Sequence, residues 1–350
     1  MNRLDRRLHL LRAKRNGCFD PDQPYLEDAA RARATRKVRV LLRRQVPVAL
    51  LTPRWSRPDR FLDELSVDLQ VGRPRVAARV VPLGVVHGRA VHETWDFLLR
   101  CVVEACHLDL EGPATQPMKK AGFRKILTEL LARTVGGPRR ALLLHGTEHL
   151  DLDTLRELMG VLKDHQETYG ADASFNMLFA GSATLPRVGM EHVERVVLPD
   201  LAVDEAVTAL CEYADEGDLA KIGLASALVG GVPALLHAVG IHAEAEGEFP
   251  VTQEAVWRAI GPLADELRAA VDIVAADGSL AERLEDVARS GTLPLEVGSD
   301  GSLVRAGLLR GVPRSRRPRV TVRAPLIAQL AGMVIGRGGE VTESLDGPTV

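Results

Sequence analysis

The sequence predicts an α/β protein in which a parallel sheet covered by helices is followed by a purely helical region and a terminal unit of helices with a short antiparallel ribbon. Three observations carry this expectation. Up to about residue 200, short apolar runs rich in β-branched residues alternate with stretches of amphipathic helical spacing. From there to about Ala276 every segment has helical texture, and after Ser279 helices give way to two short strands around a basic loop. Strands separated by helix-length crossovers pair in parallel, so both faces of the sheet are expected to be buried.

The elements follow in order. Residues 1–40 hold two helical stretches, Arg3–Lys14 and Leu26–Lys37, around a loop with Gly17, Pro21 and Pro24, and read as a basic arm. Val46–Leu51 is an apolar strand run, and Arg60–Leu69 has Phe61, Leu62, Leu65 and Leu69 on one helical side. Val76–Leu83 is a second strand; Glu93–Leu108 and Ala121–Thr134 are amphipathic helices, the latter closed by Gly136-Gly137-Pro138. Ala141–Leu144, Ser174–Ala180 and Val193–Leu198 are further strands, with a helix at Thr154–His165. The helical region comprises Val203–Ala214, Asp218–Leu228, Pro233–Glu246 and Thr252–Ala276, with breaks expected at Gly261-Pro262. Leu280–Arg289 and Ser302–Ala306 are then helices, Gly307–Arg310 and Arg319–Arg323 the ribbon, and a last helix starts at Pro325; helices followed by a ribbon predict a winged helix. The expected division is an arm over 1–40, an α/β domain over 41–200, a helical lid over 201–276, a winged helix over 277–335 and a flexible tail over 336–350.

Composition narrows the function classes. Apolar residues are 46% and charged residues 26%, the balance of a globular chain, and no stretch reaches the roughly 20 apolar residues of a membrane span. The first residues lack the apolar core and cleavage site of a secretory signal, and the four cysteines form no CxxC pair, so a reducing cytoplasm, no disulfide framework and no metal site are expected. A net charge of −2 hides an asymmetry, +10 in the first 60 residues and −12 in the remaining 290. Between Asp300 and Glu340 there is no acidic residue, while Arg314, Arg316, Arg317 and Arg319 crowd one loop. Such clusters point to a polyanion or an acidic protein partner, and the sequence leaves both open.

In a parallel α/β sheet the loop after the first strand is where phosphate settles on a helix N-terminus. Here it reads Thr52-Pro53-Arg54-Trp55-Ser56-Arg57-Pro58-Asp59. A phosphate cradle needs glycines that bring backbone N–H groups close, a lysine, and a hydroxyl for Mg²⁺. This loop has no glycine and no lysine; Pro53 and Pro58 delete donors, and Asp59 adds negative charge.

The order of elements nevertheless resembles the AAA+ and STAND-type P-loop ATPases with a helical lid and a winged helix. Val48 to Leu62 lays over their first strand and GxxxxGK[ST] loop without a gap: Thr52 and Arg57 stand at glycines, Pro58 at the lysine and Asp59 at the Ser/Thr. Ala141–Leu150 is similar to the Walker B strand, whose two acids fall on His145 and Gly146; Asn176–Ser182 is similar to the sensor 1 strand with Ser182 at its polar end. Leu228-Val-Gly-Gly-Val-Pro233 looks like the lid's GGxP turn, but Ala234 stands where a sensor 2 arginine would follow. The resemblance, over roughly residues 40–330, therefore implies a P-loop fold without nucleotide cofactor or catalytic residues, a pseudo-ATPase acting as an adaptor or structural subunit. Its implied partners are proteins, including an active paralogue or copies of itself, with DNA reached through the wing and the basic arm. Two rival readings stand beside it: a winged-helix DNA-binding regulator, and an ATPase using unconventional residues, for which Glu148, two residues past the expected acid, is the candidate base. Trp55 is expected to fill the vacated nucleotide pocket. Val334-Ile-Gly-Arg-Gly-Gly339 resembles a KH-type GxxG loop, but too few residues follow to complete that module.

Overall fold

The computed structural model describes residues 29–56, 58–108, 119–181, 192–213, 219–296, 298–312 and 317–342. Of the candidate residues, Arg57, Ser182, Arg314 and Arg316 lie outside them, as do the stretch Arg3–Lys14 and the last eight residues. The chain divides into two compact units: Ala32–Thr52 with the chain from Arg57 to Leu198 forms the first, and Pro199 onward with Arg31 and Pro53–Ser56 forms the second.

The first unit is built on five parallel strands, β1 (Val48–Leu51), β2 (Ala77–Pro82), β3 (Arg140–His145), β4 (Phe175–Gly181) and β5 (Glu194–Val197), in the order β2-β3-β4-β1-β5. Register is set by pairs such as Val48↔Leu178, Leu143↔Leu178 and Ala77↔Arg140. Because successive strand residues point to opposite faces, the apolar runs serve two cores. Leu142, Leu144, Met177 and Phe179 pack with Trp95, Phe123, Leu127 and Leu158 from α3 (Val91–Cys106), α4 (Lys120–Ala132) and α5 (Leu152–Tyr169). Their neighbours Ala141, Leu143, Leu178 and Ala180 face the other way, onto α1 (Ala29–Arg43) and α2 (Pro58–Val71). All seven residues of β4 are buried, and its one polar member, Asn176, is satisfied: Nδ2 donates to Val46 O at 2.9 Å and Oδ1 accepts from Met177 N at 2.8 Å.

The arm expected over residues 1–40 is corrected in its later part. Val38 and Leu42 of α1 are fully buried and Ala34 nearly so, because their i, i+4, i+8 spacing lays one apolar stripe on the sheet while Arg33 and Arg36 face outward. This helix belongs to the α/β core.

The second unit contains α6 (Val203–Leu210), α7 (Leu219–Val229), α8 (Pro233–Glu246), α9 (Gln253–Ala259), α10 (Pro262–Ala275), α11 (Gly278–Ser290), α12 (Ser299–Arg305) and α13 (Pro325–Thr342). The long helical stretch predicted over Thr252–Ala276 breaks at Gly261-Pro262 as the sequence suggests. Three short antiparallel strands, β6 (Leu293–Pro294), β7 (Leu309–Gly311) and β8 (Arg319–Val322), pair in the order β6-β8-β7, so the expected ribbon has a third strand. A buried ion pair ties α11 to α12: Arg283 Nε and Nη2 donate to both oxygens of the fully buried Asp300 at 2.9 and 3.0 Å, and Glu296 N donates to Asp300 Oδ2 at 2.6 Å. The flexible tail expected from residue 336 is also corrected, since α13 continues to Thr342 and the GxxG-like stretch is helical.

Candidate functional site

The order β2-β3-β4-β1-β5 fixes where a ligand crevice can open. The chain leaves β1 past β4 and β3 toward β2, and leaves β4 past β1 toward β5, so the connections from these adjacent strands run in opposite directions. Such a reversal marks the point where open α/β sheets bind ligands, beyond the carboxyl ends of the strands. Thr52 closes this point with its N–H on Gly181 O at 2.8 Å, and is itself buried.

The next four residues turn away as part of the second unit, and each of their carbonyls is occupied. Pro53 O accepts from Ser56 N at 3.1 Å and from Ser56 Oγ. Arg54 O accepts from Arg323 Nη1, Trp55 O from Ala234 N at 3.0 Å, and Ser56 O from Arg31 Nη2 at 2.6 Å. Arg323 is held in turn by a bidentate pair with Asp200, Nε–Oδ2 2.8 Å and Nη2–Oδ1 2.6 Å, with both side chains buried. Arg31 is buried as well and also reaches Pro199 O at 3.3 Å. A phosphate cradle converges N–H groups on an anion; this turn offers carbonyl oxygens to two guanidinium groups and to the N-terminal turn of α8.

Trp55 sits at the apex with φ +64°, a left-handed conformation costly for a bulky residue, and is 8% exposed. Its ring packs in the core of the second unit with residues such as Leu236, Val239 and Leu308, and its indole N–H donates to Glu266 Oε2 at 3.0 Å. The Arg54 guanidinium stacks over the same ring at 5.0 Å and lies 3.7 Å from Glu266 Oε2. Gly307 makes room: a Cβ there would meet Arg54 Cβ and Trp55 Cζ3, each at 2.9 Å. The GGxP-like turn shows the same crowding, since a Cβ on Gly231 would stand 1.8 Å from Leu201 O. Val232 caps α8, Pro233 takes its first position, and Ala234 is half-buried with its N–H spent on Trp55 O.

Pro58 and Asp59 open α2, where a carboxylate suits the positive end of the helix dipole and a proline at N1 costs no hydrogen bond. One turn on, burial and the neighbouring Asp59 push the Asp63 carboxyl up to about 6.

His145 ends β3 half-buried, and Gly146 follows with its N–H on Ala180 O at 2.9 Å. The short turn Thr147–His149 then brings side chains back over the end of β4. A Cβ placed on Gly181 would lie 2.2 Å from Thr147 Oγ1 and 2.7 Å from Glu148 Oε2. This turn carries the exposed carboxylate of Glu148, the candidate acid, to the ends of β3 and β4. His149 turns aside to His87, Nδ1 to Nδ1 at 3.2 Å. Among the described residues no group of three or more His, Cys, Asp or Glu is arranged to hold a metal ion.

Of the four loop arginines, Arg317 and Arg319 are described; both are exposed, and Arg319 Nη2 donates to Thr292 O at 3.0 Å. Sequence reasoning missed Arg31, Asp200 and Arg323. For Arg323 a signal existed, because it is the one charge in the apolar run Val320–Ile327 and a lone charge there needs a buried partner.

No family model matches the sequence, and no curated protein is similar to it. Solved structures are. A Walker-type ATPase of Pyrococcus abyssi superposes with a TM-score of 0.57 at 12% identity, over 86% of this chain and 95% of that one. Cdc6p from Pyrobaculum aerophilum gives 0.49 at 10% identity over 92% and 98%, and the RuvB Holliday junction branch migration motor of Thermotoga maritima 0.42 at 14% over 83% and 89%. Identities this low speak of architecture, and the argument rests on the first, whose likeness runs nearly end to end. With the five-stranded parallel sheet and the helical region that follows it, the fold of this chain is similar to that of a Walker-type, P-loop ATPase.

Proposed function

We propose that this chain is a pseudo-ATPase, a non-catalytic AAA+/STAND-like adaptor or structural subunit that engages protein partners. The observation that carries the reading is the turn Pro53–Ser56, whose carbonyls are all occupied and whose apex residue, Trp55, is a core residue. In this reading Thr52, Trp55, Arg57, Pro58 and Asp59 stand at Walker A positions, His145 and Gly146 at the Walker B acids, and Ser182 at sensor 1. The position that would hold phosphate has become a structural staple. Removing the lysine, the Mg²⁺ hydroxyl and both acids takes away metal-assisted phosphoryl chemistry as well as binding.

The proposal divides the chain into the α/β domain, a lid over 201–276 and a winged helix over 277–335. The order of α11, β6, α12, β7, β8 and the β6-β8-β7 pairing support the last of these. A reducing cytoplasm suits the buried free thiols of Cys101 and Cys106, which burial pushes up to about 11. Among the described residues no helix is long and apolar enough to cross a membrane.

Glu148 favours a second reading, an ATPase with unconventional residues, because its carboxylate lies at the strand ends where a water would be activated. Phosphate release by the purified chain with Mg-ATP separates the two. The pseudo-ATPase reading expects release at the blank rate for both the natural chain and Glu148→Gln. Turnover that disappears in Glu148→Gln would replace that reading with the second.

A further inference from the structure

The opposite end of the sheet, where the strands begin, carries a feature that the proposed function does not use. Three connections enter the sheet there, and each ends on a pair of arginines: Arg43 and Arg44 ahead of β1, Arg73 and Arg75 ahead of β2, Arg139 and Arg140 at the start of β3. The pairs are held together by backbone contacts. Arg139 Nη1 donates to Arg43 O, Arg43 Nη2 to Asp68 O at 3.1 Å, Ala77 N to Arg139 O at 2.9 Å and Arg140 N to Ser174 O at 2.7 Å. With strands about 4.8 Å apart, the distance from β2 across β3 and β4 to β1 is about 14 Å. The acids nearby include Asp68, already held by Arg39 at 3.6 Å, Asp172 in the turn before β4, and Glu194 at the start of β5, which lies 3.7 Å from Lys37.

Like charges are gathered here against their own repulsion. Burial and the neighbouring Arg39 together hold the Arg43 guanidinium below its ordinary value. The Nε atoms of both Arg39 and Arg43 are buried and make no hydrogen bond. Arg44, Arg73 and Arg75 are exposed. A cluster of guanidinium groups whose exposed members Arg44, Arg73 and Arg75 face water, spaced by a sheet, suits an array of phosphates better than any single anion. The six are all arginine, and no aromatic residue lies on these three connections to stack on an unpaired base.

We infer that this end of the sheet is a docking surface for the phosphate backbone of a nucleic-acid duplex, distinct from the exposed Arg317 and Arg319 at the entry to β8. It is independent of whether nucleotide binds at the other end of the sheet.

The test is fluorescence anisotropy with a labelled 20-base-pair DNA duplex, titrated from about 50 to 200 mM salt against three proteins. These are the natural chain, Arg44→Ala/Arg73→Ala/Arg75→Ala, and Arg317→Ala/Arg319→Ala. All five positions are exposed, and circular dichroism confirms that each variant is folded. The expected result is salt-sensitive binding that weakens at least tenfold in the triple variant, with the slope of log K against log salt shallower by about 2.7, from about 0.9 per phosphate contact. The β8 variant keeps most of that affinity. No binding at 50 mM salt overturns the inference, as does binding lost only in the β8 variant. Polyglutamate competing as well as the duplex at equal charge would assign the surface to an acidic protein and likewise overturn it.

Discussion

Replacing Trp55 by alanine tests whether the turn after β1 is a structural element. The indole is 8% exposed within the core of the second unit. A tryptophan buries roughly 200 Å², worth about 5 kcal/mol at 25 cal/mol per Å². Residual burial in the unfolded chain and the area alanine retains bring this to about 3–4 kcal/mol, within the range for large-to-small core changes. The hydrogen bond to Glu266, whose side chain is half exposed, adds a few tenths at most. Urea denaturation followed by circular dichroism and by the fluorescence of the two remaining tryptophans, Trp95 and, in the same unit as the turn, Trp257, reads the loss. With a slope of about 2 kcal/mol/M the midpoint falls by about 1.5–2 M. A second variant isolates the backbone. At φ +64° alanine costs about 1–2 kcal/mol that glycine avoids, against the 0.5–1 kcal/mol that glycine loses in chain entropy. Trp55→Gly is therefore no less stable than Trp55→Ala. Neither variant changes nucleotide affinity. A loss below 1 kcal/mol in Trp55→Ala, or nucleotide affinity appearing on removal of the ring, would refute the reasoning.

Three further outcomes follow from the same geometry. Gly307→Ala places a methyl 2.9 Å from both Arg54 Cβ and Trp55 Cζ3 at φ +80°, and should cost about 2–3 kcal/mol in the same urea experiment, where an unchanged midpoint would contradict the packing. Arg323→Ala strands the buried carboxylate of Asp200 and frees Arg54 O, a loss of about 3–5 kcal/mol that Asp200→Asn in the same chain should partly restore; no partial restoration would mean the pair is not coupled. Asp63 holds its proton to about pH 6 when folded against an ordinary 3.8, so its contribution is fully present below about pH 4 and is lost as pH rises through 6. Asp63→Asn should therefore flatten the stability profile over that window and raise stability at pH 7 by about 1 kcal/mol, discounted for a half-exposed group, and an unaltered profile would contradict it.

The strands were legible because a sheet buried on both faces writes itself as uninterrupted apolar runs. Ala141–Leu144 and Ser174–Ala180 differ from the observed β3 and β4 by one or two residues. α1 was obscured by its arginines: a helix that is polar on most of its circumference looks like an arm until Ala34, Val38 and Leu42 are counted as one stripe. α13 was cut short because its glycines imitate a loop motif. In the candidate site, the missing glycines and lysine were visible in the loop itself, whereas the groups that took their place were not. Arg31, Asp200 and Arg323 lie 25 to 269 residues from the carbonyls or carboxylate they meet, and no local pattern encodes such pairings. The arginine pairs ahead of β1, β2 and β3 were dispersed in sequence for the same reason, and only the parallel sheet brings them to one end.

The account stands or falls on whether the turn after β1 can accept phosphate. Calorimetric titration of the purified chain, first verified to be free of bound nucleotide, with Mg-ATP and then Mg-ADP measures this directly. Carbonyls already held by Arg31, Arg323 and the N-terminal turn of α8 predict no heat of binding for either nucleotide. A dissociation constant in the micromolar range or tighter for either one would contradict it.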